Sequence, residues 1–114
     1  MIINKEVSQD GILTLIIKRT DDADYLLGFE NYPWHTHGDL LLNEYGLQET
    51  SSERAVKAVF TKIIEDKIPL VVSVINNEVK DVRVTDDISS ELKYIKPNEQ
   101  LIFRYWSGKL ISPK

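Results

Sequence analysis

The run Thr50-Ser-Ser-Glu-Arg-Ala-Val-Lys-Ala-Val-Phe-Thr-Lys-Ile-Ile-Glu-Asp-Lys67 decides how the rest of the chain must be arranged. Val56, Val59, Phe60, Ile63 and Ile64 recur three and four residues apart, while Glu53, Arg54, Lys57, Lys62, Glu65 and Asp66 occupy the positions between them. That period lays one apolar stripe along an α-helix, expected over about residues 51–67. Thr50 and Glu53 match a capping box, in which hydroxyl and carboxylate each satisfy an orphan N–H of the first turn. Pro69 closes the far end. A stripe on one side of a single long helix cannot bury itself, so it requires a sheet.

The flanking segments supply the strands. Leu70-Val-Val-Ser-Val-Ile75 is β-branched and nearly unbroken, as a buried strand should be. Asn76-Asn77-Glu78 turns the chain back. A three-residue loop there sets Leu70, Val72 and Val74 on one face with Val84, Val82 and Lys80, and keeps Asp81 and Arg83 together on the other; a two-residue loop would set Asp81 against Val72. The three-residue register is therefore expected. Asp86-Asp87-Ile88 opens a short capped helix or turn, and Leu101 to Trp106 alternates as a last strand. On the N-terminal side, Asp10-Gly11 between Ile2–Val7 and Ile12–Lys18 signals a hairpin. Ile12–Lys18 is apolar on both faces and reads as a central strand. Tyr25–Glu30 forms a third strand after the acidic turn Asp21-Asp22-Ala23-Asp24, and Pro33 ends it or makes it an edge. Asp39 can cap a short helix over Leu40–Tyr45, ended by Gly46. The expectation is one α+β domain over residues 1–114. Its mainly antiparallel sheet has about six strands, in an N-terminal meander, a later hairpin and a C-terminal strand, packed by the main helix and one or two short ones.

Composition narrows the function. At 114 residues with 42% hydrophobic and 28% charged side chains, one modest core is expected. The absence of cysteine excludes disulfides and thiolate chemistry. The net charge of -4 opposes a polyanion partner, so no nucleic acid is expected. The N-terminus lacks the pattern of a secretion signal, and no apolar run approaches the ~18 residues of a membrane span. A cytoplasmic protein without membrane contact is expected.

Candidate chemistry gathers in Tyr32-Pro33-Trp34-His35-Thr36-His37-Gly38-Asp39, which holds both histidines of the chain. His35, His37 and Asp39 are spaced two apart, so on an extended segment they point the same way and could meet one metal ion. The string resembles the first metal motif of metallo-β-lactamase-like hydrolases, but Leu40 stands where that motif has a further histidine, and no other histidine exists downstream. A small metal-dependent hydrolase using these three residues is one alternative. The expected reading is architectural, with a histidine hydrogen-bonded at a corner, Gly38 supplying an unusual backbone angle and Asp39 capping a helix; no metal and no cofactor are expected. No nucleophile elbow or phosphate loop occurs, the serines sit at helix starts, and the paired acids fall in solvated turns, so no catalytic residue is assigned. Trp34 and Trp106 read as core or sheet-face aromatics, and Arg104 suits stacking or an ion pair with a nearby acid.

Tyr25-Leu-Leu-Gly-Phe-Glu-Asn-Tyr-Pro-Trp-His-Thr-His-Gly-Asp39, Ile68-Pro69-Leu-Val-Val, Val82-Arg-Val-Thr-Asp-Asp87 and Phe103-Arg-Tyr-Trp106 together resemble small bacterial immunity proteins of contact-dependent growth inhibition and related polymorphic-toxin systems. The resemblance implies a non-enzymatic protein that binds a cognate toxin domain in the cytoplasm and shields its active site. A nuclease toxin is basic where it holds nucleic acid, and an acidic inhibitor would gain steering toward it. The partner-binding residues expected are Asp21, Asp22, Asp24 and Glu30 with the corner of Trp34, His35, His37 and Asp39, and Asp86 and Asp87 as a second acidic group. A general interaction module, dimerising through an edge strand such as Tyr25–Glu30, is the other alternative.

Overall fold

The computed structural model describes residues 1–20, 24–38 and 51–112. In chain order its elements are β1 (Ile2–Val7), β2 (Thr14–Arg19), β3 (Tyr25–Phe29), β4 (His35–His37), α1 (Ser52–Ile64), β5 (Leu70–Ile75), β6 (Glu78–Val84), α2 (Ile88–Lys93) and β7 (Glu99–Arg104). The chain is an α+β protein. Its strands divide between two antiparallel sheets, ordered β1-β2-β3-β4 and β6-β5-β7. The seventh strand, β4, lies where the sequence suggests only a corner, and it flanks β3 opposite β2. Tyr25–Phe29 is thus an interior strand, which removes it as a dimerising edge. The helix expected over Leu40–Tyr45 lies outside the described residues.

The apolar stripe of α1 joins both sheets in one cluster. Ala55, Val56, Phe60 and Ile63 are buried with Leu13, Leu15, Ile17, Leu27 and Phe29 from the first sheet side and Leu70, Val72, Val82 and Trp106 from the second. Each fully buried aliphatic side chain is worth roughly 1.5–3 kcal/mol, so this cluster carries most of the stability. On β2 only the odd residues face it. Ile12 falls in the hairpin turn and is exposed, while Ile16 is buried on the opposite face.

Both ends of α1 depart from the sequence expectation. Ser51 is the N-cap, accepting a hydrogen bond from the Arg54 N–H at 3.2 Å, and the Glu53 carboxylate turns to Lys57 at 2.6 Å. At the other end Asp66 takes the left-handed conformation with φ 60. The Lys67 N–H then donates to the Lys62 carbonyl and the Asp66 N–H to that of Ile63, a Schellman arrangement that stops the helix before Pro69 is reached. The Asp66 carboxylate accepts from the backbone and hydroxyl of Ser107 at 2.9 and 2.5 Å, tying the helix end to the segment after β7.

The β5–β6 hairpin combines both registers weighed from the sequence. Leu70 pairs with Val84 and Val72 with Val82, as a three-residue loop requires, but the register shifts between Ser73 and Val74 and the turn closes on Asn76 and Asn77 alone. Both asparagines have positive φ, 54 and 65, the conformation that suits a two-residue hairpin turn. A bulge reconciles the two, because it absorbs one residue without turning the buried valines outward.

The β1–β2 turn is fastened to the second sheet by charge. Gly11 holds φ 74 in that turn. The Asp10 carboxylate accepts from the Ser8 hydroxyl at 2.5 Å and the Ile12 N–H at 3.2 Å, and pairs at 2.7 Å with the guanidinium of Arg104, a buried residue that also donates to the carbonyls of Tyr105 and Trp106. The Ser8 hydroxyl first, and Arg104 after it, hold the Asp10 carboxyl down from 3.8 to about 2 against the opposing effect of burial. A depressed carboxyl adds stability above its unfolded value and loses it as pH falls through its folded one. Asp10→Asn should therefore cost about 1.5–3 kcal/mol at neutral pH. In urea titrations at a series of pH values, the gap from the wild-type chain should narrow as pH falls from 3.8 to about 2.

Candidate functional site

The corner between β3 and β4 is built by a tight change of direction. Asn31 adopts φ 74 and the Tyr32 N–H donates to the Phe29 carbonyl at 3.2 Å, so the chain reverses at Glu30–Asn31. Pro33, without an N–H, then leads through Trp34 into β4. The Trp34 ring packs on Phe29 with centroids 5.8 Å apart, and its backbone N–H donates to Asp81 of β6 at 3.3 Å. Asp81 in turn accepts from Arg83, whose guanidinium also holds Glu91 of α2 at 2.6 Å. This polar chain anchors the corner to the second sheet. Asp81 and Arg83 are legible in sequence as neighbours on one face; their link to Trp34 is not, because it joins residues 47 positions apart.

Strand alternation sorts the corner's side chains. His35 stands opposite Gly28 and His37 opposite Leu26, which places both rings on the face away from α1, while Thr36 turns inward and is buried. The rings of His35 and His37 lie 5.2 Å apart, edge to face. On the same face a cleft of about 320 Å³ opens between Ile16 and Lys18 of β2, Leu26 and Gly28 of β3, and Trp34 and His35. Glu30 and Tyr32 complete its rim. Gly28 makes that approach feasible: a Cβ there would lie 3.0 Å from the Trp34 carbonyl oxygen and 3.3 Å from the His35 Cβ.

Asp24 is the hinge of the site. Its carboxylate accepts from the Ser52 hydroxyl and the Tyr25 N–H, and lies 3.2 Å from Nδ1 of His37. One acid thus joins the start of β3, strand β4 and the first turn of α1. Tyr25 and Glu53 reinforce the junction, since hydrogen bonding to the Glu53 carboxylate raises the Tyr25 phenol above its ordinary value. The order of groups, hydroxyl to carboxylate to imidazole, does not make a nucleophile. The Ser52 proton is directed at Asp24, and the imidazole that would remove it lies on the far side of the acid.

The remaining acids expected at an interface have uneven fates. Asp24 is only 13% exposed at its side chain and is occupied by these contacts rather than presented outward. Glu30 pairs with Lys5 at 3.1 Å across the sheet. Asp87 is the N-cap of α2, its carboxyl lowered first by the Ser90 hydroxyl and then by the Ser90 N–H. Asp86 is exposed. Asp21, Asp22 and Asp39 lie outside the described residues. Among the described residues no three histidines or acids are grouped to hold a metal ion. Lys18, in the cleft beside His35, is absent from the sequence-derived set because a lone exposed lysine carries no pattern.

Models of known families, curated proteins and solved structures were all compared with the chain, and it matches none of them.

Gly38 corrects a further expectation. It is required by closeness and not by an unusual backbone angle, for its φ is not positive, yet a Cβ would overlap the hydroxyl and carbonyl of Ser52. Gly38→Ala should destabilise the chain by about 1–3 kcal/mol by forcing α1 away from β4. His35→Ala, at an exposed position, should change stability by less than about 0.5 kcal/mol. Thermal or urea unfolding of the two variants checks both values.

Proposed function

We propose that this chain is a non-enzymatic immunity protein that binds a toxin domain and occludes its active site, with a nuclease as the toxin class its acidic character fits. The observation that carries this reading is the cleft on the face of the first sheet opposite α1. It sets Trp34 and Tyr32 beside Glu30, Lys18 and His35, and among the described residues no helix packs over it. Aromatic anchors ringed by polar groups are how protein interfaces concentrate binding energy. Trp34 is held from behind by Phe29 and by the bond from its backbone to Asp81, so little ordering cost remains when a partner docks. The net charge of -4 supports a basic partner surface and faster encounter with it.

On this reading the interface centres on Glu30, Trp34 and His35. Asp86, with any contribution from Asp21, Asp22 and Asp39, supplies longer-range attraction. Asp24, His37 and Asp87 serve mainly to hold the frame. The test is capture from the native host with the chain as bait, followed by assay of the captured domain. A toxin domain should be recovered whose activity is abolished by an equimolar amount of the chain. Trp34→Ala should weaken that complex by about tenfold or more, in a variant whose cooperative unfolding is measured alongside because the ring also packs on Phe29 and the core. Partners that lack toxic activity, or a toxin complex whose affinity is indifferent to Trp34→Ala, would sink this assignment.

A further inference from the structure

We propose that His35 and His37 form a two-histidine binding site for a late first-row divalent cation, of the zinc, nickel or copper class. The proposal stands apart from the toxin reading, since it needs no partner, and it departs from the expectation that these rings are purely architectural. It begins with hydrogen bonds. Nδ1 of His35 lies 3.0 Å from the Pro33 carbonyl oxygen, which can only accept, so that nitrogen carries the proton. Nδ1 of His37 faces the Asp24 carboxylate at 3.2 Å and carries its proton for the same reason. In the Nδ1–H tautomer of each ring Nε2 keeps its lone pair. Among the described residues neither Nε2 has a partner.

A backbone carbonyl on one ring and a carboxylate on the other are the supports that metal-bound imidazoles use. Such partners fix the tautomer, orient the ring and raise the basicity of the ligating nitrogen. The spacing agrees. An imidazole nitrogen lies about 2.0–2.1 Å from zinc with its ring centre roughly 1.1 Å further back, so two rings sharing an ion at a tetrahedral angle have centres roughly 5 Å apart. Those of His35 and His37 are 5.2 Å apart. Alternation along β4 puts both on one face, and the exposure of His35 gives an ion a way in. Imidazole donors select zinc, nickel and copper over magnesium or calcium. Two protein nitrogens leave the other coordination positions to water.

The untagged full-length chain titrated with Zn²⁺, and separately with Ni²⁺, in a calorimeter should bind one equivalent saturably. His35→Gln and His37→Gln should each weaken binding at least tenfold while leaving unfolding cooperative. Asp24→Asn should weaken it by about 10-fold or more through loss of the support to His37. Nitrogen-15 spectra of the rings provide a readout that a merely structural change would not mimic. Both rings should show the Nδ1–H tautomer before metal is added, and Nε2 should shift on addition of Zn²⁺. Absence of saturable binding below millimolar metal, binding retained by either histidine variant, or an Nε2–H tautomer in either ring would overturn the site.

Discussion

One 13-residue helix must bury its apolar stripe, and the rest of the structure follows from that constraint. Neither sheet covers the stripe by itself. The first has four strands of which β4 is only three residues long, and the second has three strands. Together they enclose Val56, Phe60 and Ile63 in one continuous apolar cluster. Three polar contacts between distant segments add to this cluster. Asp66 joins the end of α1 to Ser107, Asp24 joins its beginning to β3 and β4, and Asp10 joins the first hairpin to Arg104. Each is a carboxylate that ties its own segment to a distant one, which gives direction to a burial force that has none of its own.

This arrangement separates architecture from exposed chemistry at the histidine corner. The face of the first sheet toward α1 is committed to the core. The opposite face carries the cleft and both imidazoles, held by Gly28 and the reversal at Asn31, while Trp34 borders the cleft with its ring packed on Phe29 and the core. Asp24 belongs to both sides, since it fixes the helix start through Ser52 and orients His37. An acid in that position links the geometry of the exposed face to the seating of the helix. The proposed partner surface and the proposed cation site share His35, so occupation of one would bear on the other.

Much of the fold is legible from the order of residue types. The period of α1, the β-branched run of β5, the Asp-Gly hairpin and the cap of α2 at Asp87 are local patterns, and local patterns write themselves into neighbouring positions. The helix cap differs by one residue because Thr50, Ser51 and Ser52 are all competent caps; packing of Ser52 against Asp24 favours Ser51. The β5–β6 hairpin required both a core register and a turn geometry to be satisfied, and a bulge met both. The candidate site was legible as a set of unusual residues, including the histidines, Trp34 and Gly38, but not as an arrangement.

What sequence alone determined is the α+β class, the apolar stripe of α1 and the identity of the corner as the chain's richest stretch of chemistry. Tertiary structure alone decided that the strands split into two sheets, that β3 is interior, that Asp24 lies against His37 and Ser52, and that Trp34 is held by Asp81. The physical reason is range. Hydrophobic periodicity and capping act over three or four residues and leave their imprint in consecutive positions, whereas an acid brought to a distant imidazole or hydroxyl is chosen by the packing of whole elements. No local pattern encodes that choice.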